Sequence, residues 1–356
     1  MSKIEIKTLS PIHVGNGTFL QKGNDFIVVS TPDGDSDIYV LSVNKLGKAV
    51  GTDVDTISRW TNAIQRGEAE EFIKNFIRGE YRKYSQRRIT NFASFGGTNG
   101  TLKECIHDGN GKPYIPGSSI KGAIRTAVMA VLVGENALTN MKYSTLSGME
   151  NRLFGEMGSS AFRYLCTGDA FFDNGAEIAL RQINLNITQR NRLLDTSKQQ
   201  IVEAISEGEV SSFRLNVGSK FFEKLQRNNL RSLKDLFFLI NQHTRMLVEK
   251  EIEFWSDKGD DAKDYIERMN AMLNDIMRCS GNERCECILR LGQGVGWCFI
   301  TGAWLEQVDE DYFYNDIVPK CRPRNNQYQE YDFPKSRRIG DETDLFGFVK
   351  LTLKED

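Results

Sequence analysis

Apolar and polar positions alternate from Lys3 to Leu9, with Ile4, Ile6 and Thr8 set against Glu5, Lys7 and Leu9, until Ser10-Pro11 stops the run. This predicts a strand followed by a shaped turn. His13-Val14-Gly15-Asn16-Gly17 then reads as a glycine-punctuated loop. Two β-rich runs, Phe26–Ser30 and Ile38–Val43, flank the turn-forming Pro32-Asp33-Gly34-Asp35 and predict a hairpin. Between Thr56 and Tyr84, Ile57, Trp60, Ile64, Phe72, Ile73, Phe76 and Ile77 keep helical spacing with a break near Gly67. One or two helices follow.

A glycine-rich loop, Phe95–Gly100, leads through Pro113–Ser119 to a predicted helix from about Ile120 to Val133, with apolar face Ile120, Ile124, Ala127, Val128 and Val131. Phe162–Phe172 and Glu177–Thr188 read as strands joined by Asp173-Asn174-Gly175, a strong hairpin signal. Residues 220–278 are mostly helical in pattern; from Trp255 to Arg278 acids (Asp257, Asp260, Asp261, Asp264) and apolar residues (Tyr265, Met269, Met272, Leu273, Ile276) take different faces. Strand character returns at Cys285–Leu291 and Phe348–Leu353. Strands at both ends predict a shared sheet and an α+β fold, best matched by a ferredoxin-like or RRM-like antiparallel core with large helical insertions. Residues 1–190 and 281–356 would form that core, with a helical insertion at about 56–88, and 191–280 a mostly helical insertion.

Composition narrows the class. Lys plus Arg number 46 and Asp plus Glu 48, a net charge of −2, which excludes a protein that grips nucleic acid by bulk charge but permits a local basic groove. No apolar run approaches the roughly 20 residues that span a bilayer, and Met1–Lys7 lacks a signal peptide's apolar segment, so a cytoplasmic protein is expected. The seven cysteines then read as reduced thiols. Cys279, Cys285, Cys287 and Cys298 are close in sequence, but they lack paired C-x₂-C knuckles. Strand alternation puts Cys285, Cys287, Leu289 and Leu291 on one face. Buried small hydrophobes are the better reading, with zinc the alternative, and no metal or other cofactor is expected.

Three constellations carry candidate chemistry. In Ile115-Pro-Gly-Ser-Ser-Ile-Lys-Gly-Ala-Ile-Arg125, Ser118 or Ser119 can cap the helix and Gly117 turns the backbone into it. Lys121 and Arg125 share one flank, and Gly122 removes a side chain where a ligand backbone could approach. Together they form a phosphate-sized anion site, while Ala123 stands where a Walker lysine would be. A capped core helix with two surface cations is the plainer reading. The second constellation is Gly292-Gln293-Gly294-Val295-Gly296, a glycine-rich segment that would let backbone amides approach a polyanion, or a turn required by packing. It does not fit the G-x-G-x-x-G dinucleotide spacing.

The third is basic. Arg78–Arg88, including Arg87 and Arg88, has five cations and one acid interleaved with Tyr81 and Tyr84; Lys320–Arg338, including Arg337 and Arg338, has six cations and two acids with Tyr328, Tyr331 and Phe333. Cations mixed with aromatics suit single-stranded RNA, although any single charge run is more often a solvated face. Enzyme signatures are scarce. His13, beside the first glycine loop, could contact RNA or act as general base on a ribose 2′-OH, but no second acid or base can be paired with it.

Ser10-Pro-Ile-His-Val-Gly-Asn-Gly17, Tyr114–Arg125, Gly292–Gly296 and Pro334-Lys-Ser-Arg-Arg338, in that order, resemble the RAMP superfamily of CRISPR RNA-binding proteins. In order and spacing they are most similar to the Csm-type subunit that caps the backbone filament of type III-A effector complexes on the 3′ side of the guide RNA. The resemblance implies an RRM-like core, guide RNA (crRNA) and target RNA as ligands, neighbouring RAMP backbone subunits as partners, and a role in crRNA maturation that could involve maturation nucleases and serves antiviral defence. It implies RNA contacts by Gly117, Ser118, Ser119, Lys121, Gly122 and Arg125, by Gly292, Gly294 and Gly296, and by His13. No loop aspartate aligns with the target-cutting residue of related backbone subunits. The expectation is therefore a non-catalytic subunit; the alternative is a metal-independent endoribonuclease that processes precursor guide RNA with His13.

Overall fold

The computed structural model describes the chain apart from residues 96–99, 136–145, 157, 189–191, 226–229, 282–284, 301–302, 322–330, 342–343 and 355–356. Its strands are β1 (Ser2–Thr8), β2 (Gly15–Gln21), β3 (Phe26–Ser30), β4 (Ser36–Leu41), β5 (Ser85–Asn91), β6 (Thr101–Cys105), β7 (Tyr114–Ile115), β8 (Leu165–Thr167), β9 (Ala170–Phe171), β10 (Glu177–Asn186), β11 (Leu194–Ile205), β12 (Val210–Val217), β13 (Glu286–Arg290), β14 (Ser336–Gly340) and β15 (Phe348–Lys354). The longer helices are α1 (Val43–Val50), α2 (Val54–Arg66), α3 (Ala69–Ile77), the single turn α4 (Tyr81–Tyr84), α5 (Gly117–Glu135), α6 (Leu146–Phe154), α7 (Ser219–Leu225), α8 (Leu233–Trp255) and α9 (Lys263–Gly281). The class is mixed α+β. Among the described residues no helix is long and apolar enough to cross a membrane.

Two large sheets organise the chain. The first is five-stranded and antiparallel, in the order β13-β15-β1-β12-β8, so the two ends of the chain do share a sheet. Alternation in β1 sends Ile4 and Ile6 into a core with Phe213, Leu215 and Leu351, against α5 and the first half of α8. On the other face Ile288 and Phe348 are covered by α9 and the end of α8 through Tyr265, Met269 and Trp255. The second sheet is eight-stranded and mixed, in the order β2-β6-β11-β10-β5-β4-β3 with β14 added on β10; α1 and α3 cover one face through Leu46, Ile73 and Ile77.

The first half of the chain follows its local pattern. Phe26–Ser30 and Ser36–Leu41 pair as the predicted hairpin. The break near Gly67 is a left-handed C-cap at φ 73° between α2 and α3, a conformation that costs glycine little. The expected hairpin of 162–172 with 177–188 does not form. A turn closes at Asp173, with the Ala176 amide donating to its carbonyl, but β9 pairs β7 while β10 pairs β11, β5 and β14 in the other sheet. A ten-residue central strand is satisfied by the twelve-residue β11 rather than by two residues of β9. Within 191–280, expected to be mostly helical, Leu194–Ile205 and Val210–Val217 are strands, and β2 begins at Gly15 inside the expected glycine loop.

Candidate nucleic-acid interface

Helix α5 begins two residues after β7, and the close fit of its first turn explains the glycine there: a Cβ on Gly117 would stand 2.3 Å from the Thr167 carbonyl oxygen. The cap comes from outside the motif. The Gly117 amide donates to Asp169 Oδ1 at 2.7 Å, and the Thr167 hydroxyl donates to the Gly117 carbonyl. A carboxylate of the chain itself therefore occupies the place expected for a bound anion, in accord with the helix dipole. Ser118, Gly122 and Arg125 are exposed and Lys121 half-buried. Arg125 pairs with Glu150, whereas Lys121 has no acidic partner among the described residues.

The second glycine segment is shaped by packing. Gly292, Gly294 and Gly296 all have positive φ (92°, 92° and 84°). Side chains at the first two would collide with the His13 carbonyl (2.8 Å) and Gln182 Nε2 (2.9 Å). The Gln293 amide donates to the His13 carbonyl at 2.8 Å, tying this loop to the end of the first strand segment. His13 itself is fully buried, which corrects the expectation that it touches RNA. Its Nδ1 donates to the Glu203 carbonyl at 2.6 Å, and burial lowers its pKa, so the ring is neutral.

Arg87, also expected to face RNA, is turned inward. Its Nε donates to Glu203 Oε1 at 2.8 Å and its guanidinium to Glu104 Oε1 at 2.8 Å, with Glu177 beyond and His107 against Glu177. Burial pushes the Glu203 carboxyl up to about 7 despite Arg87. Glu104, His107 and Glu203 have ligand atoms close enough to hold a metal, yet the Arg87 guanidinium already bridges the two carboxylates and supplies the positive charge. Arg337 is corrected in the same way: only 5% of its side chain is exposed, its Nε donates to Glu251 Oε2 at 2.6 Å, and it stacks on Phe254. These charges are consumed internally because a buried guanidinium needs a carboxylate. Arg338, on β14, donates to the Lys198 carbonyl at 2.7 Å; of the 320–338 cluster, Arg322, Arg324 and Tyr328 lie outside the described residues, as do residues 96–99 of the glycine loop.

What remains open is a groove of about 420 Å³ where β5 meets two tight turns. Lys45, Arg82 and Arg88 line it together with Asn110 and Asn174, and the carboxylate-paired Arg87 also borders it. Arg82 is exposed without an acidic partner among the described residues; Lys45 donates to the Ser85 carbonyl at 2.8 Å; Arg88 reaches Asp37 at 2.7 Å with about half its side chain in solvent. Sequence reading found this region through the run 78–88 but missed Lys45, Asn110 and Asn174, which only the sheet brings alongside. The suspected zinc cysteines divide between two cores, Cys285 and Cys287 in one, Cys279 and Cys298 in the other, and burial raises their thiols, Cys279 and Cys298 to about 11.

Three comparisons bear on this arrangement. The family description "RAMP superfamily" matches residues 5–298. No curated protein sequence is matched at a significant level. Among solved structures, a chain of the cryo-EM Csm-crRNA-target RNA ternary complex of a type III-A CRISPR-Cas system is similar with a TM-score of 0.69 and 20% identity, over 99% of this chain and 100% of that one. The crystal structure of Csm5 from T. onnurineus gives 0.61 and 20%, over 97% and 99%. At these identities the likeness is one of fold.

Proposed function

The chain belongs to the RAMP superfamily, and we propose that it serves as a non-catalytic RNA-binding subunit of a type III-A CRISPR effector complex. In this reading it caps the backbone filament, holds the 3′ part of the guide RNA, packs against a neighbouring RAMP subunit, lies close to target RNA and supports crRNA maturation, with maturation nucleases as transient partners. The similarity of fold to Csm subunits over nearly the whole length supports it. So does the strand order β15-β1-β12-β8, with α5 between β1 and β8 and α8–α9 after β12 in sequence, which supports reading this sheet as a ferredoxin-like unit extended by β13.

The observation that carries the reading is the groove of Lys45, Arg82 and Arg88, where cations stand in solvent while those of Arg87 and Arg337 are neutralised inside. A phosphodiester backbone fits a groove lined by cations and amide side chains. The non-catalytic part of the proposal is supported by the enclosure of His13, the histidine of the first glycine loop, which is fully buried. Replacing Lys45, Arg82 and Arg88 by alanine should weaken single-stranded RNA binding across sequences and reduce the slope of log K against log salt by about 2. An unchanged slope would contradict the groove.

A further inference from the structure

The register of the first sheet places like charges side by side. Lys3 on β1 stands directly opposite Lys354 on β15 and directly opposite Arg214 on β12, so three cations form one transverse row on the sheet face turned away from α5. All three are exposed. Four residues along, Lys7 faces Lys350 on the same side. Glu5, between the rows, reaches Lys354 at 2.7 Å, but Lys3 and Arg214 have no acidic partner among the described residues. Like charges directly opposite across strands oppose folding, so nothing in the sheet's own stability explains the row.

Its surroundings are those of a track. Beyond Arg214 the next position across the sheet is Gly168, whose amide donates to the Arg214 carbonyl at 2.8 Å and which offers no side chain. A hollow of about 600 Å³ lies here, lined by Lys3, Arg214, Ser212, Gly168 and Asp169 among others. Asp169, on the β8 side of the hollow, accepts from the Gly117 amide at the first turn of α5. With strands about 4.8 Å apart, the three gaps from β15 to β8 span roughly 14 Å. A line of three cations over two of these gaps, narrow and ending on a bare glycine, matches a linear polyanion better than the broad acidic face of a folded partner.

We propose that Lys354, Lys3 and Arg214 form a second binding site for the phosphodiester backbone of RNA, separate from the Lys45–Arg82–Arg88 groove. The site rests on the RNA-binding reading above. The test titrates a labelled single-stranded RNA of about 20 nucleotides at several salt concentrations against the full chain, the Lys3→Ala/Arg214→Ala variant, the charge-keeping Lys3→Arg/Arg214→Lys variant, and the groove variant. The double alanine variant should lose about ten-fold in affinity at physiological salt and about 1.4 in salt slope, with the charge-keeping variant close to the parent. Its melting temperature should equal or exceed the parent's, because a repulsion is relieved; a purely structural role would lower it. Unchanged affinity and slope in the double alanine variant, with the groove variant impaired, would overturn this site alone. Failure of the parent to bind RNA would overturn both readings, and polyglutamate that displaces RNA from the parent at equal charge would reassign the row to an acidic protein.

Discussion

Arg337 Nε lies 2.6 Å from Glu251 Oε2, with 5% and 2% of the two side chains exposed. Tyr265 completes the site by donating its hydroxyl to the same carboxylate at 2.9 Å. Arg337, of the basic motif near the C-terminus, thus fixes β14 against α8. Glu251→Ala should cost about 3–5 kcal/mol, because it strands a buried guanidinium, whereas Glu251→Leu with Arg337→Met should be close to neutral. Denaturant unfolding of the three proteins checks this. A change in RNA salt slope in the folded double variant would contradict the structural assignment.

Arg87 answers to the same test with a different pH signature. Its removal leaves Glu104, Glu177 and Glu203 facing one another. Glu203 has a carboxyl raised to about 7, so its burial favours the protonated form, and this contribution to stability is present at low pH and lost as pH rises through 7. Arg87→Ala should therefore destabilise by about 3–5 kcal/mol near pH 8 and by clearly less near pH 5, read by chemical unfolding at both values.

His243 runs in the opposite direction. It is 7% exposed in α8, and burial lowers its pKa to about 4, while in the unfolded chain it titrates near its ordinary 6.5. Between these values the unfolded state binds the proton and the folded state does not, so acidification from pH 6.5 to 4 removes stability, on the order of 2–3 kcal/mol in total. A His243→Gln variant should lose this component, so that its unfolding free energy falls less than the parent's on acidification across that range.

Two glycines of one helix should respond oppositely to alanine. At Gly117 the new methyl would meet the Thr167 carbonyl at 2.3 Å and Gly168 at 2.8 Å, so Gly117→Ala should destabilise by about 1–3 kcal/mol or more. At Gly122 nothing lies within 4 Å, and Gly122→Ala in a helix interior should stabilise by about 1 kcal/mol. Thermal melts of the two variants decide it.

These contrasts mark what the sequence makes legible. Elements held by local pattern were readable: the alternation of β1, the β3–β4 hairpin, the break at Gly67 and the apolar face of α5. Those decided by distant partners were not. Glu177–Asn186 leaves its sequence neighbour because β11 offers a full-length ladder, and β11 itself, polar from Asp195 to Gln200, lacks the alternation that would announce it. Charge runs show where cations are dense but not which are spent: Arg87 and Arg88 are adjacent, yet strand alternation turns the first into a buried carboxylate cluster and leaves the second half in solvent. The Lys354–Lys3–Arg214 row is invisible until the register of three strands is known.

The central claim, that this chain contacts RNA through surfaces whose cations stand in solvent, is tested most directly by ultraviolet crosslinking and peptide mapping on the assembled particle. Crosslinks in the peptides containing Lys45 and Arg82–Arg88 would agree with the account; RNA that co-purifies with the particle but leaves no crosslink on this chain would contradict it.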